Sequence, residues 1–351
     1  MASWSVCSTV AEPPELLCAF VAHYLEQGAE EVHLFLDAPD RDTVKMLTAI
    51  KGVRVTECTP AYWKKINNGR PDGQVMRQLK NANRAYAQCT TDWFYFCDAD
   101  EFTVARDGIG AALDRVPLET RFCRPQMAER VFPAEAPQEA LFDGLYRKLL
   151  PPRPKMVQRI YGDLAPMTTR GLTGHVASKS FVRSGQSDLR IRIHFPVPFD
   201  GAEEERRRKA GDLRPGPFMP DTWLVHFDGV TLLHWKLKLL RFYLDYAPQM
   251  VDGQPMVFKN RTPARSRQLN TLFENRDDPE MLNWMMGLIR LRPDVLDRLR
   301  AEEGLVEDIS LDPAQAAERV FGPGLDFRAA SFDARLREKY GALIAEHGLL
   351  D

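Results

Sequence analysis

Strand and helix patterns alternate through the first hundred residues, and this alternation constrains the fold more than any other feature of the sequence. Short apolar, β-branched segments at 3–10, 31–36 and 53–57 alternate with helical spacing of apolar residues at 15–27 and 43–50. A strand-helix-strand order with short connections predicts a parallel sheet covered by helices.

The alternation continues with a helical pattern at 74–87 and ends in the aromatic segment Trp93–Cys97. A continuous apolar run of this length is typical of a strand that is buried on both faces. We therefore predict an α/β fold with a mostly parallel sheet flanked by helices and a helical C-terminal extension. Because ligands bind beyond the carboxyl ends of the strands in such sheets, the residues that follow each strand are the first site candidates.

Charge and hydropathy exclude several functional classes. The 351 residues include 47 basic and 49 acidic side chains, a balance that provides no field for nucleic acid, so we expect no nucleic-acid partner. The N-terminal segment lacks a signal-peptide pattern, and no apolar run approaches the ~18 residues of a membrane helix. We expect a cytoplasmic protein with no transmembrane segment, for which peripheral membrane contact stays open.

The six cysteines form no CxxC pair, which favours buried, reduced thiols.

The sharpest chemical motif is FYFCDADEF, at 94–102. Asp98 and Asp100 are two residues apart after a buried strand, so in extended geometry their side chains point the same way. Clustered carboxylates repel one another unless a cation neutralises them, and hard oxygen ligands suit Mg²⁺ or Mn²⁺. The motif therefore predicts a metal site. The alternative interpretation is a solvated turn whose aspartates cap the next element.

Together with three earlier segments, this motif resembles family-two-like glycosyltransferases of the GT-A fold, in particular bacterial members with a D-x-D-E-F block. The resemblance covers residues 3–102. Ala11-Glu12 stands where those proteins have Asn-Glu after the first strand, and His23 and Gly28 match their first helix. The loop 37–43 is similar to their nucleoside-binding loop, although it lacks the serine of that loop.

The resemblance implies a nucleotide-sugar donor, UDP-linked, and a glycan or other hydroxyl acceptor of the surface-polysaccharide type. It implies that Asp98 faces the ribose or the metal. It also implies that Asp100 ligates a Mn²⁺ or Mg²⁺ ion that bridges the donor diphosphate. The candidate donor-binding residues of this half are Thr9, Glu12, Asp37, Asp42, Arg77 and Asp98.

Two later segments add candidates. The segment 226–236 is similar to a late His-Gly-Lys block of GT-A enzymes, in which His226 would be a third metal ligand and Lys236 would meet the diphosphate. The alternative for His226 is a partly buried structural histidine. Lys179 and Arg183 are candidate cations for the diphosphate or an anionic acceptor, and the alternative for them is an exposed strand with outward charges.

These candidates predict a metal-dependent glycosyltransferase of the hexosyltransferase type. Displacement at the anomeric carbon places negative charge on the departing diphosphate, which a divalent ion and nearby cations stabilise. Glu101 is the first candidate base and Asp228 the second. Family-two relatives imply inversion of configuration at the anomeric carbon, whereas the late His-Gly block is similar to a block of retaining enzymes. The sequence therefore leaves inversion and retention as alternatives. The alternatives are a metal-dependent nucleotidyl- or phosphotransferase and a non-catalytic nucleotide- or glycan-binding module.

The predicted domain organisation has two parts. Residues 1–250 form a GT-A domain, with a nucleotide-binding half at 1–102 and an acceptor half at 103–250, and residues 251–351 form a helical C-terminal region. The charged, Pro/Gly-rich residues 199–221 are predicted to be a mobile surface loop. Trp284 and its neighbouring methionines have helical spacing that is typical of core packing.

Overall fold

A computed structural model of the chain describes residues 1–201, 216–246, 262–275 and 278–347. The described strands are β1 (Trp4–Val10), β2 (Glu31–Leu36), β3 (Val53–Glu57), β4 (Trp93–Phe96), β5 (Glu101–Ala105), β6 (Phe122–Pro133), β7 (Leu145–Lys148), β8 (Phe181–Arg183), β9 (Leu189–Arg190), β10 (Val197–Pro198), β11 (Phe218–His226), β12 (Arg290–Leu291) and β13 (Leu305–Val306). The described α-helices are α1 (Pro14–Glu26), α2 (Arg41–Thr48), α3 (Pro60–Asn67), α4 (Gln74–Ala87), α5 (Ile109–Asp114), α6 (Pro154–Tyr161), α7 (Leu232–Tyr246), α8 (Pro263–Glu274), α9 (Pro279–Met286), α10 (Pro293–Ala301), α11 (Pro313–Phe321) and α12 (Ala329–Glu346). A 3₁₀ helix covers Gly162–Met167.

The chain divides into two compact units, each made of three separate segments. The first unit comprises Met1–Gln126, Ala177–Leu224 and Ser310–Leu325. The second unit comprises Met127–Val176, Val225–Ile309 and Asp326–Asp351. The predicted boundary between a GT-A domain and a C-terminal region at residue 250 stays a prediction.

The sheet of the first unit confirms the predicted α/β class. Strands β3, β2, β1 and β4 lie side by side in that order and are all parallel. Beyond β4, strand β8 is antiparallel, and the beginning of β6 is antiparallel to β8. A mostly parallel sheet flanked by helices therefore carries the segments that the sequence analysis singled out.

The residues of β4 alternate between two apolar layers, which explains why this strand is apolar throughout. Phe94 and Phe96 pack in a cluster with Trp63 of α3 and Tyr86 of α4. The intervening Tyr95 faces the opposite layer, where its ring stacks on Phe181 at a centroid distance of 4.0 Å. Successive side chains of a strand point to opposite faces, so a strand covered by helices on both faces has no polar position.

In the first hundred residues most predicted boundaries agree with the structure within two residues, and one helix of that region, α3, is missing from the prediction. Helix α3 occupies residues that the sequence analysis left without structure. Its N-terminus has a Thr-Pro signal, in which Thr59 accepts a hydrogen bond from the backbone N–H of Tyr62 at 3.2 Å. Strand β11 begins at Phe218, so residues 218–221, predicted as part of a surface loop, belong to a strand. All six cysteines are free thiols, as predicted, and only Cys89 is partly exposed.

The second unit has its own apolar core. Ile160 of α6, Leu291 of β12 and Leu299 of α10 are fully or almost fully buried in one cluster with Val131 of β6. In this unit β7 is antiparallel to the end of β6 and to β13, and β12 is parallel to β6. These contacts build a separate scaffold from segments that are more than a hundred residues apart in sequence.

Two predictions concern residues that the structure covers in part. Residues 202–215 of the predicted mobile loop lie outside the described residues, as do residues 247–261 of the region around the predicted domain boundary. Within the described ranges, no helix is both long enough and apolar enough to cross a lipid bilayer.

Candidate functional site

The carboxyl ends of three parallel strands lie side by side in the first unit. The backbone N–H of Asp37, directly after β2, donates to the carbonyl of Val10 at the end of β1 at 2.8 Å. On the other side of β1, the N–H of Cys97 donates to the carbonyl of Cys7 at 3.2 Å. This register brings the residues after β1, β2 and β4 to one edge of the sheet, where Glu12, Asp37 and Asp98 stand.

A tight turn holds the acidic motif after β4. The N–H of Glu101 donates to the carbonyl of Asp98 at 3.1 Å, and the N–H of Asp98 donates to Oε2 of Glu101 at 2.7 Å. Glu101 is fully buried, whereas the Asp98 side chain is 33% exposed. The Glu101 carboxylate therefore fixes the turn from inside and leaves Asp98 at the surface of the sheet edge.

Lys179 supplies a positive charge to this turn. Its side chain is fully buried, and its Nζ lies 2.7 Å from Oδ2 of Asp98 and 3.5 Å from Oε2 of Glu101. Although burial lowers it, the two carboxylates raise the pKa of Lys179 above its ordinary value, so the ammonium stays charged. The predicted cation thus lies beside the acidic motif, and the alternative of an outward-facing charge is wrong for Lys179.

Helix α4 contributes two polar residues from its buried face, Gln78 and Asn81, that were not among the individual site candidates of the sequence analysis. Gln78 is 7% exposed and donates from Nε2 to Oδ1 of Asp98 at 2.7 Å. Asn81 is fully buried and donates to the hydroxyl of Thr9 at 3.1 Å, while Tyr62 donates to Asn81 at 2.6 Å. The available signal was their helical spacing with Ala82 and Ala85, which predicts a buried face and makes polar side chains there unusual.

Three carboxylates interact electrostatically at this edge. Burial raises the pKa of Glu12, and the negative charges of Asp100 and Asp98 raise it further. The N–H of Ala11 donates to Oε2 of Glu12 at 2.6 Å and partly offsets these effects. Such a cluster of like charges is a common sign of a functional site.

Asp37 is held between two arginines. Its Oδ2 accepts hydrogen bonds from Arg70 at 2.7 Å and Arg77 at 2.9 Å, and Arg77 is in turn fixed by the carbonyls of Pro71 and Asp72. The Asp37 side chain is 10% exposed, and its Oδ1 has no hydrogen-bond partner among the described residues. A buried acceptor without a partner costs free energy unless a ligand or water satisfies it.

Two further predicted donor-binding residues belong to α2 and β8. Asp42 is exposed in the first turn of α2. Arg183 pairs with Trp93 at the amino end of β4, opposite to the end that leads into Asp98. Its guanidinium donates to the carbonyls of Val116, Pro117 and Thr120. The structure therefore does not bring Arg183 together with the acidic motif, and its contacts fix a loop.

The candidates of the second unit lie in a buried polar network. Asp228 accepts hydrogen bonds from Trp235 at 3.1 Å and Arg265 at 2.8 Å, and Lys238 lies 3.3 Å from its other oxygen. Although burial raises it, Arg265 and Lys238 hold the pKa of Asp228 well below its usual range. A carboxylate in this setting is a weak base, and it balances the charges of its cationic partners.

His226 belongs to the same network. Its Nδ1 lies 3.9 Å from Oε2 of Glu129, and its ring lies 4.7 Å from that of His175. Glu129 is fully buried, forms an ion pair with the fully buried Arg147, and accepts a hydrogen bond from the N–H of Gly174 at 2.7 Å. The sequence analysis missed both Glu129 and Arg147. Lys236 is partly buried on α7.

The predicted metal ligands are distributed over both units. Asp98 and Asp100 belong to the first unit and His226 to the second, so this set of three stays a prediction. Within the described part of the chain, no group of three or more His, Cys, Asp or Glu side chains is arranged to hold a metal ion by itself.

Comparisons with known proteins give distant likenesses only. The chain matches no protein-family profile and no curated protein. Among solved structures, it is similar to residues 1–349 of S. aureus TarS, at 12% identity and a TM-score of 0.35 over 93% of each chain. The same TarS fragment in complex with UDP gives 14% identity and a TM-score of 0.34, again over 93% of each chain. HddC from Yersinia pseudotuberculosis gives 9% identity and a TM-score of 0.25 over 40% of this chain and 64% of that one. Likeness at this level does not identify a function, so the proposal below rests on the contacts of the chain itself.

Proposed function

We propose that the chain is a GT-A glycosyltransferase of the hexosyltransferase type, which moves a sugar from a UDP-linked donor to a hydroxyl group of a glycan acceptor. The donor site is the edge of the first unit that carries Glu12, Asp37, Asp98 and Asp100. The observation that carries this proposal is the concentration of acidic and basic side chains beyond the carboxyl ends of β1, β2 and β4, the usual ligand position of an open α/β sheet.

The setting of Asp37 supports a uridine nucleotide. Its Oδ1 is buried and lacks a hydrogen-bond partner among the described residues, while Arg70 and Arg77 fix the other oxygen. The imide N3–H of uracil is a donor that would satisfy this acceptor, whereas cytosine carries an acceptor at the same position. A site built to hydrogen-bond one donor discriminates strongly against an analogue that lacks it.

The acidic motif fits a divalent ion that is shared with the donor. Mg²⁺ is commonly bound by one or two carboxylates together with substrate phosphates, so a site of Asp98 and Asp100 is chemically sufficient without a third protein ligand. When bound, the ion neutralises charge that develops on the diphosphate. The raised pKa of Glu12, caused by burial and then by Asp100 and Asp98, is consistent with carboxylates gathered to receive a cation.

Neighbouring side chains fix the orientation of Asp98 in the acidic motif. Lys179 and Gln78 hold the two oxygens of Asp98, and Glu101 holds its backbone N–H, so the motif keeps one conformation before the donor binds. Preorganised charge costs no rearrangement during the reaction. Lys179 also places a positive charge below the position that we assign to the diphosphate, which supports its role in donor binding. Glu101 and Asp228 stay predictions as bases, because their cationic partners favour a charge-balancing role for both.

Calorimetry with UDP tests the donor site. We expect wild-type protein to bind UDP more tightly with Mn²⁺ than without it, and Asp100→Ala to lose the effect of Mn²⁺ while its thermal unfolding is unchanged. Asp297→Ala, which removes an exposed aspartate of the second unit, is the matched control and should behave as wild type. Equal Mn²⁺-dependent affinities for wild type and Asp100→Ala would refute the metal role.

Product analysis separates the alternative functions. A glycosyltransferase incubated with a UDP-sugar and Mn²⁺ releases UDP by slow hydrolysis or transfer, whereas a nucleotidyltransferase releases pyrophosphate from a nucleoside triphosphate. A binding module releases neither product. We expect UDP.

A further inference from the structure

The second unit contains a large cavity, and none of the residues that line it is a candidate donor contact. Its volume is about 660 Å³, within the range of about 300–1,000 Å³ that is usual for small-molecule sites. It is bounded by α6 and the 3₁₀ helix on one side and by α9, β12 and α10 on the other. Regular elements form most of its wall, so the cavity has a fixed shape.

The wall of the cavity combines a buried apolar floor with an exposed aromatic ring. Ile160, Tyr161 and Met286 of the floor are 0%, 5% and 6% exposed. Trp284 is 39% exposed, although helical spacing with the neighbouring methionines predicts core packing for it. Met285 and Met286 do pack in the core and Met281 is partly buried, so the prediction is wrong for the tryptophan that lines the cavity. An exposed indole beside a cavity offers a flat apolar face to a ligand.

The polar rim is balanced in charge. Arg290, Arg292 and Arg298 line the cavity together with Asp163 and Glu280. Arg292 and Arg298 both form ion pairs with Asp294, which brings the local sum to three guanidinium groups and three carboxylates. Such a rim has no net charge to attract an anion or a cation, but it presents many hydrogen-bond donors and acceptors.

We propose that this cavity binds an uncharged oligosaccharide, namely a segment of the glycan acceptor, with Trp284 as the stacking platform. A sugar ring has one face of C–H groups, which matches the face of the Trp284 indole. Its edge carries hydroxyl groups, which match the hydrogen-bond donors and acceptors of the rim. The assignment of the ligand to the acceptor rests on the proposed transferase function. The assignment of saccharide chemistry rests only on the cavity itself.

Ligand-observed NMR with neutral disaccharides tests this assignment. Cellobiose, maltose and diacetylchitobiose are titrated at millimolar concentration against the full chain, and UDP affinity is measured on the same samples. We expect at least one disaccharide to bind wild type saturably and Trp284→Ala to weaken that binding about fivefold or more, the usual value of a lost aromatic contact. UDP affinity should not change.

Two variants serve as checks. Phe199→Ala removes an aromatic side chain that is 69% exposed in the first unit and should leave saccharide binding intact. Asn283→Ala removes an exposed polar group of the rim and should weaken saccharide binding without affecting thermal unfolding. Absence of binding by all three disaccharides, or equal binding by wild type and Trp284→Ala, overturns the assignment. Trp284-dependent saccharide binding in a chain that fails to bind UDP would support the cavity and count against the donor site.

Discussion

A buried ammonium group between two carboxylates sets the charge at the carboxyl end of β4. Lys179 is fully buried, contacts Asp98 at 2.7 Å and lies 3.5 Å from Glu101. Removal of one partner from a buried ion pair leaves an uncompensated charge. This change costs much more free energy than replacement of the whole pair by apolar residues. The residue is therefore critical for the folded state as well as for the proposed donor site.

Lys179→Met should lower the free energy of unfolding by about 3–5 kcal/mol at neutral pH. The deficit should shrink at low pH, where protonation removes the negative charges that Lys179 balances. In wild type the pKa of Lys179 is raised by Asp98 and Glu101, so its contribution is present at neutral pH and is lost only as strongly alkaline pH is reached. Urea unfolding at several pH values measures this, with the exposed Lys45→Met as control. A deficit that does not depend on pH would contradict the ion-pair account.

Glu12→Gln should have the opposite effect on stability. Burial and then the charges of Asp100 and Asp98 raise the pKa of Glu12 in the folded chain. A carboxyl group with a raised pKa binds its proton more tightly when folded, so its ionisation destabilises the protein above the ordinary glutamate pKa of about 4.3. The variant should melt at a higher temperature than wild type at pH 7, and the difference should vanish below about pH 4. Glu119→Gln, at an exposed site, should match wild type at both pH values.

At the scale of elements, the turn between β11 and α7 depends on one glycine. Gly229 has φ of +94°, and a Cβ there would lie 2.6 Å from Cα and Cβ of Trp235. The close approach allows Trp235 to donate to Asp228 at 3.1 Å, while Arg130 donates to the carbonyl of Gly229 at 2.7 Å. The turn thus connects the backbone to the buried network of the second unit.

Gly229→Ala should destabilise the chain by more than backbone strain alone. Gly108 is a suitable comparison, because its φ is +86° and a Cβ added there would meet no atom within 4 Å. Gly108→Ala should cost about 1–2 kcal/mol from φ strain, and Gly229→Ala should cost clearly more since it adds a clash with backbone atoms. Chemical denaturation of both variants measures the difference. Equal losses would show that the contact with Trp235 relaxes freely.

The elements that the sequence predicts best are those whose patterns are local. Strands β2 and β3 and helix α4 begin and end at the predicted residues, because apolar periodicity and flanking turn residues lie within each segment. Helix α3 is missing from the prediction since it is short and carries Lys64 and Lys65. Its Thr59-Pro60 cap was the usable signal.

At the scale of the whole molecule, local patterns predict less. The parallel order of strands in the first unit follows from the alternation of strands and helices, and the acidic edge follows from the position of carboxylates after strands. Local patterns do not predict which segments make up each unit, because each unit is assembled from three segments that are distant in sequence. The ion pair of Glu129 with Arg147 lies within one of these segments, but it depends on the register of β7 against β6, which no short motif encodes.

The candidate site also combines features that local patterns predict with contacts that they do not predict. Asp98 and Lys179 are 81 residues apart in sequence, and only the antiparallel pairing of β8 with β4 brings Lys179 to the acidic edge. Lys179 precedes β8, whereas Arg183 is the last residue of β8 and lies at the opposite end of β4, so the residue type alone did not distinguish the two cations. Register therefore decides which predicted charges meet.

A crystal structure of the chain with UDP and Mn²⁺ tests the central claim most directly. We predict an anomalous manganese peak at the carboxylates of Asp98 and Asp100, in contact with the UDP diphosphate, and a uracil ring that donates from N3–H to Asp37. UDP bound away from the carboxyl ends of β1, β2 and β4, or manganese bound elsewhere while these carboxylates contact only protein, would contradict the account.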